Sequence, residues 1–206
     1  MIMERLDALQ EQLSKLPGIG PRQARRLAFY LLQVSNDQID QLSTAIDRAR
    51  ETRYHCTTCN RLFFLSNSHR DVNRCQTCSD TSRDHTKLML VARQADFEQI
   101  ERSGVWNGRY FILGKLVRLS DKSPLERLPI ALLSRQLEQF DMAEVVIAFP
   151  VNPEGENTSY VISDYVRNNP ATKDLTITYL ARGLSVGSEI EYSDNETIEQ
   201  AIENRR

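Results

Sequence analysis

Apolar positions in the first 53 residues recur at helical spacing in three successive stretches. In the second stretch they recur every three or four residues, at Ala24, Leu27, Ala28, Leu31 and Leu32. Such a period gives a helix one buried face. Pro17 ends the preceding helix and Pro21 begins this one, because proline interrupts a helix interior but is tolerated in a first turn. We therefore predict a small helical module over residues 1–53, with a third helix from Asp37 to about Arg53.

The helical period disappears between Tyr54 and Asp84. Asn, Ser, Thr and Asp dominate this segment, a composition typical of loops, and few apolar side chains remain to form a core. The segment therefore needs another source of stability.

Short apolar runs and helical patterns alternate along the rest of the chain. The apolar runs suit buried strands and cover Lys87–Ala92, Arg109–Leu113, Glu144–Phe149 and Leu175–Leu180. The helical patterns between them cover Ala95–Ser103, Glu126–Phe140 and Gly155–Asn168. This alternation predicts βαβ units and a mostly parallel sheet with flanking helices.

The four cysteines provide a source of stability for the loop-rich segment. They form two CxxC pairs separated by 15 residues: Cys56 and Cys59, then Cys75 and Cys78. This spacing lets two tight turns offer four thiolates to one structural Zn²⁺ ion. A disulfide pair is disfavoured in a reducing compartment, whereas an iron site stays open as an alternative. Since four thiolates complete the coordination shell, we do not expect His55 or His69 to be a ligand.

Charge is divided unevenly along the chain, whose formal net charge is −2. Residues 1–93 hold 14 Lys and Arg against 10 Asp and Glu, and residues 94–206 hold 12 against 18. Four bases without an intervening acid lie in the first half: Lys15, Arg22, Arg25 and Arg26. The basic half is therefore where a polyanion would bind.

These four bases flank a turn over residues 16–21 with the sequence Leu-Pro-Gly-Ile-Gly-Pro. A helix N-terminus with adjacent cations suits a phosphate group, because free amide groups and the helix dipole favour negative charge there. An ordinary helical hairpin with a solvated basic face is the alternative. The form of the turn resembles a helix-hairpin-helix, which favours binding to the DNA backbone without reading its sequence.

The composition is that of a globular protein. A hydrophobic fraction of 40% and a charged fraction of 26% exclude disorder as the main state. No run approaches the roughly 18 consecutive apolar residues of a membrane span, and the first residues lack the apolar run of a signal peptide. We therefore expect a cytoplasmic protein that does not bind a membrane.

The motifs of the chain, taken in order, resemble those of the bacterial recombination mediator family RecR over almost the whole length. Besides the hairpin turn and the cysteine pairs, the resemblance is carried by Asp80, Arg83-Asp84, Ala95-Asp96, Ile100-Glu101, Gly104 to Leu113, Glu154-Gly155-Glu156, Arg182-Gly183, Gly187, Glu191, Asp194 to Thr197, Ala201 and Arg205. The order and spacing of these motifs are more specific than any one of them.

The resemblance implies an α/β multidomain architecture in four parts. They are a helix-hairpin-helix module over 1–53, a four-cysteine zinc finger over 54–84, a Toprim domain over 85–184 and a swapped, helical C-terminal segment over 185–206. The resemblance further implies homo-oligomers, from a dimer to a ring-shaped tetramer that surrounds DNA. Its implied partners are RecO and, in many bacteria, RecF, with which the family helps load recombinase onto single-stranded DNA.

Departures from the family pattern indicate a divergent member. Asp121-Lys122-Ser123-Pro124 stands where members commonly carry glycines and a proline. Val117-Arg118 replaces a usual Ser-Pro, and Ser185 replaces a usual proline. The sheet edge and the loops at these positions are therefore expected to differ from the family.

Catalytic Toprim domains hold Mg²⁺ with three carboxylates at strand ends, and this chain lacks all three. The corresponding positions are Ala92, Pro150 and Asn152, none of which supplies an anionic oxygen. We therefore predict a DNA-binding scaffold that is not an enzyme. A Mg²⁺-dependent nickase or primase relative is the alternative, and a zinc-stabilised RNA-binding module is a third hypothesis.

Two acidic residues, Glu154 and Glu156, lie at the start of a predicted helix. Negative charge at a helix N-terminus is favourable, and this is one sufficient reason for their presence. The second interpretation makes them the acidic half of a contact with a basic partner protein, in agreement with the net negative charge of this half of the chain. The sequence leaves both interpretations open.

Overall fold

The computed structural model describes residues 2–67, 69–172, 174–181, 184, 187 and 189–203. The chain forms two compact units, Met1–Arg53 and Tyr54–Arg206. Across the described ranges, no helix combines the length and the apolar character needed to cross a membrane. The division of the chain into four parts stays a prediction.

The first unit contains three helices, α1 (Ile2–Ser14), α2 (Pro21–Gln33) and α3 (Asn36–Glu51). Pro21 opens α2 as predicted, and the turn before it contains Gly18 with a φ of 77°. This left-handed conformation is one that glycine adopts without steric cost. Helix α1 packs on α2, in which Ala24 and Ala28 are fully buried.

Helix α3 begins at a capping box. The hydroxyl of Ser35 accepts the amide of Gln38, and the Gln38 side chain accepts the amide of Ser35 at 3.3 Å. These bonds satisfy two amide groups that a helix N-terminus otherwise leaves open. They place the helix start one residue before the predicted Asp37, and the helix ends two residues before the predicted Arg53.

The cysteine-containing segment forms small elements only. Strands β1 (Arg53–His55) and β2 (Leu62–Phe64) pair with each other, and α4 (Gln76–Ser79) is a single turn. The four cysteines and Phe63 form the buried cluster of this segment. So small an apolar cluster agrees with the expectation that the segment depends on its cysteines.

The central sheet has four parallel strands in the order β4-β3-β5-β6. They are β3 (Asp84–Val91), β4 (Gly108–Ile112), β5 (Glu144–Ala148) and β6 (Thr176–Tyr179). The helices that follow successive strands are α5 (Gln94–Ser103), α6 (Ile130–Gln139), α7 (Pro153–Asn168) and, towards the end of the chain, α8 (Asn195–Glu203). The predicted parallel sheet with flanking helices is confirmed.

Both faces of the sheet are buried, because its connecting helices lie on opposite sides. On one face, Leu88 and Leu90 of β3 pack in a core that includes residues of α6 and α7. On the other face, Met89 and Val91 pack with Phe97 of α5. This arrangement explains why the strands are near-continuous apolar runs in the sequence.

The helix predicted over Glu126–Phe140 is wrong in its first third. The structure has a 3₁₀ turn at Pro124–Arg127, and α6 begins only at Ile130. Pro129 stands between them and forces the preceding Leu128 into an extended conformation with φ −101° and ψ 154°. The apolar period therefore continues across a position where the backbone cannot stay helical.

The C-terminal segment carries a 3₁₀ turn at Ile190–Tyr192 and helix α8, so the predicted helical tail is confirmed. Four positions named from the family resemblance, Arg182, Gly183, Ser185 and Arg205, lie outside the described residues.

We expect Gly155→Ala to lower the free energy of unfolding by about 1–3 kcal/mol, although Ala is the better helix former. A methyl group at this position would overlap the carbonyl oxygen of Pro150 and lie 3.0 Å from its carbonyl carbon. Thermal and urea unfolding of the variant and of the exposed control Asp164→Ala measure the difference. Equal stability of Gly155→Ala and the natural chain would contradict this packing.

Candidate metal centre and nucleic-acid interface

The four cysteines meet in one buried cluster. Cys56 and Cys59 lie in a turn after β1, where the amide of Asn60 donates to the Cys56 carbonyl at 3.0 Å. Cys75 precedes α4 and Cys78 lies within it. The four Sγ atoms all lie within 4.8 Å of one another, and the sequence prediction of a shared site is confirmed.

The spacing of the sulfur atoms fits a tetrahedral metal ion. Ligands 2.3 Å from a central Zn²⁺ ion lie about 3.8 Å apart along a tetrahedron edge. The Sγ atoms of Cys59 and Cys75 are 3.7 Å apart. All four cysteines are free thiols, so the disulfide alternative finds no support.

The four thiols shift one another's pKa in opposite directions. Hydrogen bonds from Cys59, Cys75 and Cys78 lower the pKa of the Cys56 thiol, whereas the hydrogen bond with Cys56 raises the pKa of Cys59 and of Cys78. The backbone amide of Cys75 also donates to the Cys56 sulfur at 3.4 Å. Thiolates are the form that binds metal ions, and the close spacing of the four sulfur atoms is the observation that indicates a cation site.

Neither histidine near the cysteines joins the cluster. Among the described residues, the group within ligand distance consists of the four cysteines. The ring of His69 contacts the carbonyl oxygen of Arg74, and His55 lies in β1. The expectation that the histidines are not ligands agrees with this geometry.

Two cationic side chains that the sequence analysis did not single out lie near the cluster. Arg74 donates to the carbonyl oxygen of Cys78. Arg109 is only 4% exposed, and its guanidinium stacks on Phe140 at 3.6 Å. Burial lowers the pKa of Arg109, while the charge of Cys78 acts in the opposite direction. Positive charge next to four thiolates offsets the negative charge that they bring into the interior.

The predicted phosphate-binding residues lie at the surface of the first unit. Arg22, Arg25 and Arg26 occupy the first turns of α2, are exposed, and form no ion pair with any residue that the structure describes. Arg25 stacks over Phe29 at 5.8 Å. Lys15 differs from them, because its ammonium group pairs with Glu11 at 2.9 Å. The arginines are therefore the better phosphate ligands.

The turn between α1 and α2 already uses one of its amide groups. The Gly20 amide donates to the Gln23 side chain at 3.1 Å, so it is not free to contact a phosphate. The binding of an anion at this end of α2 would therefore depend mainly on the arginine side chains.

The acidic pair Glu154 and Glu156 lies in the first turn of α7. Asn152 caps this helix, since its side-chain oxygen accepts the amide of Gly155 at 2.8 Å. Both glutamates are exposed, and Glu156 lines an open cleft of about 580 Å³ together with Tyr179 and Leu180. The geometry is that of a capped helix N-terminus with two exposed glutamates.

The three positions that the sequence analysis compared with the carboxylates of catalytic Toprim domains lie at the carboxyl ends of β3 and β5. Ala92 directly follows β3 and is fully buried. Pro150 and Asn152 follow β5, and the side-chain oxygen of Asn152 is occupied by its cap bond. No carboxylate is contributed by any of these three residues.

Comparisons with known proteins agree with this geometry. The model of the family "RecR, helix-hairpin-helix" matches residues 6–50, and that of "RecR, C-terminal" matches residues 183–206. The chain is 37% identical over 202 residues to the recombination protein RecR of Nocardia farcinica, covering 96% of this chain and 95% of that protein. The RecR of Mycobacterium leprae gives the same identity and coverage. That of Chromobacterium violaceum is 36% identical, over 98% of this chain and 96% of the relative.

We expect the purified chain to hold one metal ion, and Cys75→Ser to lose it because three thiolates bind far more weakly than four. Elemental analysis of freshly purified protein measures the metal per chain. Ser79→Ala, an exposed change four residues further on, serves as the control and should keep the ion. A Cys75→Ser variant with full metal content would refute the four-thiolate site.

Proposed function

The chain belongs to the RecR family of recombination proteins, and on that basis we propose that it is a non-enzymatic DNA clamp and scaffold in recombinational repair. It binds DNA without reading the base sequence. With RecO, and with RecF where that protein is present, it helps to load recombinase onto single-stranded DNA.

The observation that carries this proposal is the set of exposed arginines on α2. Arg22 and Arg26 are one helical turn apart, and neither is engaged by an acid of the described chain. Exposed guanidinium groups at a helix N-terminus contact phosphate oxygens, which are the same for every base sequence. The matched helix-hairpin-helix family model covers this region and gives further support.

The scaffold role is supported by the residues that follow the carboxyl ends of β3 and β5. Two-metal phosphoryl transfer needs several anionic oxygens to hold Mg²⁺ ions around the reacting phosphate. Ala92, Pro150 and Asn152 supply none, and Glu154 and Glu156 alone do not replace them. We assign the sheet to a Toprim domain that has lost its catalytic metal site.

We assign the four-cysteine cluster to a structural Zn²⁺ ion. Zn²⁺ accepts four thiolates in a tetrahedron, and the ion would stabilise a segment with little apolar core. Four free thiols and a DNA partner are consistent with the cytoplasm as the compartment in which the protein works.

Self-association is part of the proposal, from a dimer to a ring-shaped tetramer. Apolar side chains on two helices of the first unit are exposed in the single chain, among them Leu32 at 64%, Leu42 at 47% and Ile46 at 51%. Ile39, Leu42 and Ile46 follow a helical period along α3, and such a stripe is typically covered by another helix. A homo-oligomer would remove it from water.

The acidic turn of α7 is assigned to the partner protein. Glu154 and Glu156 are exposed and lie in the half of the chain that has excess acid. A basic surface on RecO would complement them. Since the arginines lie on the other unit, DNA and partner protein need not compete for the same residues.

We expect the double variant Arg22→Glu and Arg26→Glu to abolish DNA binding, because charge reversal replaces attraction to phosphate by repulsion. In the natural protein, log affinity should fall with log salt by about 0.9 for each phosphate neutralised on duplex DNA. Fluorescence anisotropy with duplex and single-stranded oligonucleotides measures both. The control, Arg48→Glu with Arg50→Glu on α3, makes the same charge change in the same unit and should bind nearly normally. Unchanged affinity of the α2 variant would rule out this interface.

We expect no Mg²⁺-dependent or Mn²⁺-dependent nicking, ligation or priming. The assay incubates purified protein with supercoiled plasmid and either metal ion, and follows the conversion to open circles. Glu154→Gln is prepared in parallel. Nicking that accompanies the protein through purification and disappears in this variant would overturn the scaffold assignment in favour of an enzyme.

A further inference from the structure

The outer edge of β4 is closed by the metal-binding segment. β4 is one of the two edge strands of the described sheet, and an edge strand leaves backbone groups that need partners. The amide of Ile112 donates to the carbonyl oxygen of Cys59 at 2.9 Å. The carbonyl oxygen of Ile112 accepts the side-chain amide of Asn60 at 2.8 Å. One metal-binding turn thus satisfies both backbone groups of Ile112.

Asn60 is suited to this position for two reasons. Its φ is 60°, and it is the non-glycine residue with a positive φ in the described chain. Asn tolerates this left-handed conformation better than other side chains. Its short side-chain amide also reaches Ile112, so the residue that ends the turn joins Cys59 in bonding the turn to the sheet.

The chain beyond Ile112 is hydrogen-bonded first to the end of β3 and then, at Val117, to α7. The amides of Leu113 and Gly114 donate to the carbonyl oxygens of Val91 and Ala92, at 2.9 and 3.0 Å. Val117 is buried, its amide donates to the Thr158 hydroxyl at 2.8 Å, and its carbonyl oxygen accepts the Asn157 side chain at 3.2 Å.

The last link lies inside α7. The hydroxyl of Thr158, which is fully buried, donates to the carbonyl oxygen of Glu154 at 2.6 Å. Thr158 therefore accepts one bond from the segment after β4 and donates another to the first turn of its own helix. That first turn is the one that carries Glu154 and Glu156.

We propose that Asn60 is a positioning residue that couples the metal-binding turn, through Ile112 and the Val117–Thr158 bond, to the acidic first turn of α7. A bound metal holds Cys59 and Asn60 in place, and these hold the end of β4. The segment over residues 113–117 then keeps α7 in one position. Loss of the metal or of the Asn60 side chain loosens the first turn of α7 without touching it directly.

The identity of the partner at α7 rests on the proposed function, but the coupling itself does not. Hydrogen exchange at the amides of residues 113–117 and 154–158 reports the coupling without any partner. Binding of RecO is a separate readout.

The decisive variant is Asn60→Gly. Glycine adopts a φ of 60° freely, so the turn and its four thiolates keep their geometry while the side-chain amide is lost. With metal content unchanged, we expect local opening at residues 113–117 and 154–158 to become about fivefold more frequent, as the loss of one hydrogen bond implies. The control Asn73→Gly alters an exposed asparagine of the same segment and should exchange like the natural protein.

A second comparison removes the metal from the natural protein with a chelator. Exchange at both segments should then rise, and in Asn60→Gly chelation should add less than in the natural protein, because the side-chain bond to Ile112 is already lost and only the bond to the Cys59 carbonyl still links the turn to β4. Thr158→Val cuts the far end of the path, so chelation should no longer accelerate exchange in the first turn of α7 of that variant. Should Asn60→Gly fail to keep its metal, this Thr158→Val comparison decides the question.

Wild-type exchange in metal-loaded Asn60→Gly, or an undiminished chelator effect in Thr158→Val, would overturn the coupling. In the partner experiment, RecO should bind Asn60→Gly several-fold more weakly than the natural chain, with DNA affinity unchanged. If RecO fails to bind the natural chain, the proposed partner is wrong, whereas the exchange measurements still judge the coupling.

Discussion

Strand β3 is the constraint on which the second unit depends. It pairs in parallel with β4 on one side and β5 on the other, and its alternating side chains enter the two separate cores of the sheet. Leu88, Leu90 and Val91 are fully buried, so a change of register would move apolar side chains from one core into the other. Because parallel strands end on the same side of a sheet, Ala92 after β3 and Pro150 and Asn152 after β5 lie on that same side.

The cysteine-containing segment forms its own two-stranded sheet and is hydrogen-bonded to the edge of the central sheet. Its own buried cluster is small, and it lends backbone partners to the outer edge of β4 through Cys59 and Asn60. A bound ion would stabilise a segment that has little apolar core. The segment, once stabilised, covers an edge of β4 that would otherwise be open to pairing with another chain. Arg74 and the buried Arg109 accompany it with positive charge.

The uneven charge of the chain corresponds to two surfaces on different units. The exposed arginines of α2 lie in the first unit, and the acidic first turn of α7 lies in the second. A protein that binds DNA and a basic partner would thus use different residues for each, with a basic group for the phosphates and an acidic group for the partner. The arrangement is consistent with a scaffold whose tasks are carried by separate groups of residues.

The sequence alone determined the elements and the chemistry of the cysteines. Three helices, a parallel sheet and a four-thiolate site follow from local period and spacing, because periodicity reports which side of an element is buried. The apolar period wrongly predicted a continuous helix across Pro129. Proline disfavours a helical conformation in the residue before it, although the apolar pattern there is unbroken. Only the tertiary structure decided that Asn60 contacts Ile112, 52 residues away, and that Thr158 contacts Val117, 41 residues away. Such contacts depend on which strand lies at the edge and which helix covers it, and no local pattern of residues records that choice.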